Sequence, residues 1–180
     1  MKIVIVGSGR VGASAAEIWD AAGHEVIVLD MSTRAFERLP SSFGGTAVRG
    51  DGTDEDVLRR AGLEGADVFL ALTEGDNRNV MAAQLAVEAF EIPQVIAKIN
   101  DPVRAAAYAE LGIATLSRTG LMVDAMNAHL GFPPSGLSGM LAASGHHPGG
   151  DHHADPPSSQ VEVRDASEPV PAAPGATREA

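Results

Sequence analysis

The feature that constrains this chain most is a glycine motif that directly follows a short apolar run. Gly7, Gly9 and Gly12 form the pattern G-x-G-x-x-G. The run before them, Lys2–Val6, is β-branched without alternation, which is typical of a strand buried on both faces. In a strand–loop–helix context such glycines permit a tight turn, a close approach of pyrophosphate to the backbone, and packing of helix on strand. The motif therefore predicts an α/β unit that holds a phosphate at a helix N-terminus.

The chain up to residue 130 alternates predicted strands with predicted helices. Strands that alternate with helices favour right-handed βαβ crossovers, so the pattern predicts a doubly wound, Rossmann-like parallel sheet of about six strands. The predicted strands are Lys2–Val6, 25–29, Thr46–Arg49, 67–72, Gln94–Lys98 and Ala114–Leu116, and the predicted helices are 10–22, 32–39, 53–61, 76–90, 101–111 and 119–130.

The composition changes after residue 130. Eight of the 11 prolines lie beyond residue 131, among many glycines, alanines, serines and histidines. A segment with so little apolar content cannot offset the entropy cost of ordering it. The sequence therefore predicts one nucleotide-binding domain over residues 1–130 and a largely disordered, flexible tail over residues 131–180.

Charge and cysteine content exclude several functions. The formal net charge is −11 and there is no cysteine. An acidic chain is poorly suited to bind nucleic acid through phosphates, and without cysteine it has no disulfide, thiol nucleophile or Cys-ligated metal. No apolar run is long enough to span a bilayer. We therefore expect a cytoplasmic protein with no nucleic-acid partner.

An acidic residue follows the motif at the distance that a ribose requires. Asp30 ends the second strand, 18 residues after Gly12, where its carboxylate can accept both hydroxyls of an adenosine ribose. A 2′-phosphate would be repelled there, so NADP is disfavoured. Met31 and the motif residues Ser8 and Val11 complete the first part of the predicted site. The alternative is a glycine-rich turn with a helix-capping Asp.

Two further loops reach the same edge of the sheet. Asp51, Gly52 and Thr53 follow the third strand, and Thr73 follows the fourth. The carboxyl ends of parallel strands are where open α/β sheets bind ligands. We expect Asp51 and Thr53 near an adenine, and the Thr73 hydroxyl near ribose or phosphate. Turn glycines with a helix cap would explain the same residues in structural terms.

Two cations are candidates for phosphate binding. Arg10 lies inside the glycine loop, which suggests a ligand with exposed terminal charge or a phosphate on a neighbouring subunit. Lys98 ends the fifth strand and is one of only two lysines. The alternative for each is a solvated surface cation. Two His pairs in the tail, His146–His147 and His152–His153, are read as low-complexity sequence, so no metal site is predicted.

These residues together resemble the N-terminal nucleotide-binding domain of the Trk/Ktr potassium-uptake regulatory subunits, also called the regulator-of-potassium-conductance domain. The resemblance implies a cytosolic regulatory subunit that binds NAD(H) or ATP/ADP, forms homodimers or rings, and gates a membrane potassium transporter, to whose inner face it is peripheral. It would place Arg10 near a terminal phosphate, Asp30 on ribose, and Asp51 near adenine. The resemblance is carried by the glycine motif, residues 23–26, Asp30, Gly50–Thr53, Leu58, Ala61, Gly62, Ala66, Asp67, Thr73, Asp76, Asn77, Asn79, 96–98, Asp101, Pro102, Leu111 and Gly112.

The chain departs from that family in two places. Residues 116–120 lack the Pro and Glu that follow the sixth strand in the family, which puts a family cation site in doubt. The tail also stands where the family has a second, ligand-sensing domain. Residues 159–164 are either a remnant of that domain's first strand or a coincidental match.

The same residues favour binding over catalysis. A hydride-transferring enzyme needs a second element that positions substrate and a general acid or base, and the sole tyrosine, Tyr108, has no lysine four residues on. We therefore expect a non-catalytic nucleotide sensor with no catalytic residue. The alternatives are a small NAD-dependent oxidoreductase completed by a dimer partner, and a nucleotide-linked regulator of another process.

Overall fold

The strands and helices follow the predicted alternation. The computed structural model of the protein describes residues 1–101, 108, 113–138 and 163–165. Within these ranges the elements, in chain order, are β1 (Lys2–Val6), α1 (Arg10–Ala21), β2 (Glu25–Asp30), a 3-10 helix (Thr33–Arg38), β3 (Thr46–Arg49), α2 (Glu55–Ala61), β4 (Val68–Ala71), α3 (Asp76–Glu88), β5 (Gln94–Lys98), β6 (Ala114–Leu116), α4 (Arg118–Leu130) and β7 (Val163–Asp165).

The strands form one parallel sheet with the order β6-β5-β4-β1-β2-β3-β7. The chain runs outward from β1 through β2 to β3, then returns to the other side of β1 and runs outward again through β4, β5 and β6. This confirms the predicted doubly wound, Rossmann-like fold. β1 lies at the centre, with Ile5 opposite Val28 on one side and Leu70 on the other.

Helices bury both faces of the sheet. Val4 and Val6 of β1 face a core completed by α2 and α3, whereas Ile3 and Ile5 face a core completed by α1 and the 3-10 helix. Burial on both faces explains why β1 is uniformly apolar rather than alternating. Glycine and small residues allow α1 to pack closely, with Ala13 and Ala16 buried against the sheet.

Two elements differ from the sequence prediction, one in its first residue and the other in its helix type. The second α-helix begins at Glu55 rather than at Thr53, because Asp54 is its N-cap and accepts a hydrogen bond from the backbone N–H of Val57 at 3.1 Å. The segment predicted as helix over 32–39 is a 3-10 helix, Thr33–Arg38. The predicted helix over 101–111 lies largely outside the described residues, although Tyr108 is helical.

Packed structure continues beyond Leu130 for eight residues. Ser117 caps α4 through its hydroxyl, and its backbone N–H donates to the carbonyl of Ser138 at 3.1 Å. Asp124 accepts hydrogen bonds from the backbone and the hydroxyl of Ser135. These bonds, the Ser135 hydroxyl first, lower the pKa of Asp124 below its usual value. Residues 131–138 thus fold back along α4.

The tail contributes a seventh strand to the sheet. Val163–Asp165 pairs in parallel with β3, so Arg49 lies opposite Asp165. The sequence leaves two interpretations of residues 159–164, a remnant strand of a second domain or a coincidental match. The structure has a strand at the carboxyl end of this segment, and it pairs with the edge of this domain's own sheet. The two His pairs lie outside the described residues. Within the described ranges no helix is long and apolar enough to cross a bilayer.

Candidate functional site

A cleft opens at the carboxyl edge of the sheet, where the strand order reverses between β1 and β4. Open α/β sheets bind ligands at such switch points. The cleft has a volume of about 280 Å³, at the lower end of the range for small-molecule sites. Its walls come from the loops after β1, β2, β3 and β4, and they are formed by Val6, Gly7, Ser8, Gly9, Leu29, Asp30, Met31, Ala35, Arg38, Gly50, Asp51, Gly52, Thr53, Leu72, Thr73, Glu74 and Arg78.

The glycine loop has the geometry that its sequence requires. Gly7 has φ +110°, and a Cβ there would lie 2.9 Å from the backbone of Leu72 and Thr73. A Cβ on Gly12 would overlap the carbonyl oxygen of Gly7, so only glycine permits this helix–strand contact. By contrast, a Cβ on Gly9 would have no neighbour within 4 Å in the part of the chain that the structure describes. The backbone at Gly9 is therefore open to a ligand.

The start of α1 has donors available for an anion. Gly9 is the N-cap of α1 and provides no side-chain hydrogen bond, so the first-turn N–H groups have no side-chain capping partner among the described residues. These groups and the helix dipole favour a negative charge beside Gly9. Because this helix start belongs to the loop that lines the cleft, the cleft is suited to a phosphate.

Asp30 joins the glycine loop to the turn after β2. Its Oδ2 accepts from the backbone N–H of Ser8 at 2.9 Å, and its Oδ1 accepts from that of Ser32 at 2.8 Å. The hydroxyl of Ser8 donates to the carbonyl of Ala35 at 3.1 Å. An ionised carboxylate has about four acceptor positions, so Asp30 retains capacity for ribose hydroxyls while it fixes the loop.

The loop after β3 presents a carboxylate oxygen to the cleft. Thr53 donates both its backbone N–H (2.9 Å) and its hydroxyl (2.8 Å) to Oδ1 of Asp51. Among the described residues no hydrogen bond is made to Asp51 Oδ2. Gly52 lies tightly on β1, since a Cβ there would overlap the side chain of Val6. The loop is thus rigid, and Asp51 is its available acceptor.

A buried Asn that is not among the predicted site residues fixes the loop after β4. Asn79 is fully buried; its Oδ1 accepts from the N–H and hydroxyl of Thr73, and its Nδ2 donates to the carbonyls of Thr73 and Lys98. The Thr73 hydroxyl therefore donates to Asn79 and can only accept from a ligand. The signal in the sequence was a polar residue on the apolar face of α3, beside Val80 and Ala83.

The cations of the cleft are not the ones expected from the motif. Arg38, on the 3-10 helix, and Arg78, in the first turn of α3, both line the cleft. Arg10 is exposed at the start of α1 and does not line it, and Lys98 is 8% exposed, on the far side of Asn79. The motif residues Val11 and Gly12 also lie outside the lining. No pattern in the sequence singled out Arg38 or Arg78.

The fold and the cleft define a class, the Rossmann-type domains that bind dinucleotides or related nucleotides. The family model described as the TrkA-N domain matches residues 3–118, and the chain belongs to this family. The resemblance inferred from the residues is thereby confirmed.

Individual relatives agree with this assignment. The chain is 47% identical over 126 residues, 70% of its length, to the "Trk system potassium uptake protein TrkA" of Streptomyces coelicolor, of which it covers 56%. It spans about half the length of this relative and of three further TrkA homologues, from Pyrococcus abyssi, Pyrococcus horikoshii and Methanothermobacter thermautotrophicus.

Two solved structures share the fold at low sequence identity. The TrkA-N domain of the inner membrane protein ybaL from Escherichia coli is similar with a TM-score of 0.63 and 22% identity, over 72% of this chain and 96% of that chain. The Kef C-terminal domain from Shewanella denitrificans, solved in an AMP-bound form, is similar with a TM-score of 0.60 and 21% identity, over 72% of this chain and 79% of that one.

Proposed function

We propose that the chain is a nucleotide-sensing regulatory subunit that binds NAD(H) or ATP/ADP in the cleft and gates a membrane potassium uptake transporter. The observation that supports this most is the convergence of four loops at the switch point: an open, uncapped helix start at Gly9, Asp30 on the ribose side, and Asp51 beyond it. The family and the names of its relatives supply the link to potassium uptake.

The lining of the cleft supports binding without turnover. The described lining contains no His, Lys or Tyr, and its acidic residues are Asp30, Asp51 and Glu74. Asp30 and Asp51 already accept hydrogen bonds that fix their own loops. The ligand would then act by favouring one arrangement of the subunits, and only to the extent that it binds the two arrangements with different affinity.

We propose that the second copy of the chain docks on α4. Met122, Met126 and Leu130 recur at every fourth residue of that helix and are 62%, 53% and 63% exposed. Leu121 and Phe132 extend this apolar surface. Contiguous exposed apolar surface of this kind marks interaction sites, and a dimer is what the family resemblance implies.

Thermal-shift titration with AMP, ADP, ATP, NAD, NADH and NADP tests the binding. A ligand at 100 times its dissociation constant stabilises the folded state by about 2.7 kcal/mol. We expect an increase in Tm with one or more of the nucleotides that have a free 2′-hydroxyl on the adenosine ribose, and a smaller increase with NADP, whose 2′-phosphate would meet Asp30.

A variant pair provides the control. Gly9→Asp places a carboxylate where the phosphate would bind, and Gly9→Asn places a neutral group of the same shape in the same open space. The nucleotide-induced increase in Tm should be much smaller for the Asp variant than for the Asn variant. Only the Asp variant should alter potassium uptake in cells. No shift of the wild-type protein with any adenine nucleotide would refute the proposal. NADH consumption coupled to a substrate would favour the oxidoreductase instead.

A further inference from the structure

The strand β7 is the outermost strand of the sheet beside β3, and its carboxyl end lies at the carboxyl edge of the sheet, where the nucleotide would bind. Its last residue, Asp165, pairs in register with Arg49, the last residue of β3. The two side chains form an ion pair, with Arg49 Nη1 3.2 Å from Asp165 Oδ2 and each side chain about half exposed. Because the strands are parallel, this pair lies at the carboxyl edge of the sheet. β7 also lies beyond residues 3–118, which match the family.

A second cavity, of about 240 Å³, opens beside this ion pair. Three of its residues, Met31, Gly50 and Asp51, also line the main cleft, so the two cavities adjoin. Its remaining walls come from Arg49, Val57, Arg60 and Asp165. The tail strand therefore supplies one wall of a space that continues the cleft.

The direction of a bound nucleotide follows from the order of the strands. Its phosphate would lie at the start of α1, after β1, and its ribose at Asp30, at the end of β2. The next strand outward is β3, followed by β7. The base would therefore extend over Met31 towards Asp51 and into the second cavity, where Val57 adds apolar contact. The main cleft alone, at about 280 Å³, lies near the lower limit for small-molecule sites.

We propose that β7 completes the base-binding part of the site, so that docking of Val163–Asp165 on β3 and binding of an adenine base strengthen each other. The inference rests on the proposed function, because it assigns the base end of the same site. Reciprocity is a thermodynamic requirement: if the docked strand tightens binding of the base, the base tightens docking of the strand by the same factor. The fraction of molecules in which Val163–Asp165 is docked would then depend on whether a nucleotide occupies the cleft.

Two variants of the full-length chain weaken the docking. Asp165→Arg replaces the ion pair with a like-charge pair, and Arg164→Pro removes a backbone donor from the strand. We expect each variant to weaken AMP binding, measured by isothermal titration, by about threefold to tenfold. ATP should be weakened by the same factor as AMP, because both carry the same base. The charge swap Arg49→Asp with Asp165→Arg should restore affinity to within about twofold.

A matched control is available on the opposite end of the sheet. Glu64→Arg disrupts an exposed ion pair of the same kind, with Arg59 at 3.1 Å, which lines neither cavity. It should leave AMP affinity unchanged. Saturating AMP should also slow amide hydrogen exchange at residues 163–165 of the wild-type protein.

The outcomes separate this inference from the proposed function. If wild-type protein binds AMP but exchange at residues 163–165 is unaffected, and Arg164→Pro binds AMP as tightly as wild type, the inference is wrong and the proposed function stands. If wild-type protein binds no adenine nucleotide, the proposed function fails and the inference fails with it.

Discussion

Single residues in the cleft hold their own loops, and the same residues are proposed to contact the ligand. Asp30 illustrates this, since two backbone N–H groups already occupy part of its carboxylate. The cations are divided by position: Arg38 lies on the β2 side with Asp30, whereas Arg78 follows β4 on the other side of β1. A nucleotide with its ribose at Asp30 would therefore extend its outer phosphates towards Arg78.

The first residue-scale prediction concerns Arg78. Arg78→Ala should weaken ATP binding by about twofold to fivefold, the range expected for an exposed ion pair. AMP binding should change little, because AMP lacks the outer phosphates. Isothermal titration with both ligands measures the difference.

Two other arginines complete that comparison. Arg34→Ala, on the same 3-10 helix as Arg38, is the control, since Arg34 does not line the main cleft; it lines a neighbouring depression that shares Ala35 and Arg38 with the cleft. Arg10 lies outside the cleft of a single chain, so Arg10→Ala should weaken ATP more than AMP only at protein concentrations at which subunits associate. Equal losses of ATP and AMP affinity in Arg78→Ala would contradict the assignment of Arg78.

At the scale of elements, α3 connects the ends of β4 and β5 through its polar first turn. Asn79 makes four hydrogen bonds that reach Thr73 after β4 and Lys98 in β5. Asp76 accepts from the backbone of Asn100 at 3.1 Å and from that of Asp101 at 3.3 Å. The helix start therefore sets the spacing of two loops at the carboxyl edge of the sheet.

This connection predicts a large loss of stability in Asn79→Ala. The variant leaves the buried carbonyl of Lys98 and the backbone and hydroxyl of Thr73 without their partner. Buried unsatisfied polar groups cost about 1–3 kcal/mol, so the free energy of unfolding should fall by about 2–3 kcal/mol in urea titration. Met81→Ala is the control on the same helix, where a half-exposed side chain should matter by less than about 0.5 kcal/mol. Similar losses in the two variants would show that the Asn79 bonds carry no special weight.

At the scale of the whole molecule, an acidic domain is proposed to bind a polyanionic ligand. The formal net charge of the whole 180-residue chain is −11, so the long-range field opposes a nucleotide and binding must depend on local donors: the start of α1, Arg38 and Arg78. The apolar surface of α4 lies in a different part of the chain from these donors. A ligand signal would have to pass from the cleft to this surface through the packing of the sheet and helices.

The dimer proposed to form through α4 can be tested by placing a charged side chain in its apolar interface. Met126→Glu should weaken self-association at least tenfold, because it places a carboxylate in an apolar interface. Met81→Glu is a close control, since Met81 and Met126 are 52% and 53% exposed but lie on different helices. Sedimentation velocity over a range of concentrations measures both. A wild-type monomer at all concentrations, or equal effects of the two substitutions, would contradict an α4 dimer.

The sequence by itself determined the fold and the part of the site that comes from local backbone geometry. An apolar β1, a glycine motif and an acid at the end of β2 specify a βαβ unit because tight turns and close helix–strand contacts admit only glycine, as Gly7 and Gly12 show. Asp51 and Thr53 were also predicted beside the cleft, and the structure brings them there.

Only the tertiary structure decided which side chains from distant elements meet at the cleft. Arg38 and Arg78 carry no local pattern, and neither does the pairing of Asp165 with Arg49, 116 residues earlier in the chain. Periodicity and turn residues indicate only interactions between residues that are close together in the sequence. The contacts named above depend instead on the strand order of the sheet. For the same reason the sequence did not predict β7: residues 159–164 were interpreted as a remnant of a second domain's first strand or as a coincidental match, whereas Val163–Asp165 pairs with β3 of this sheet.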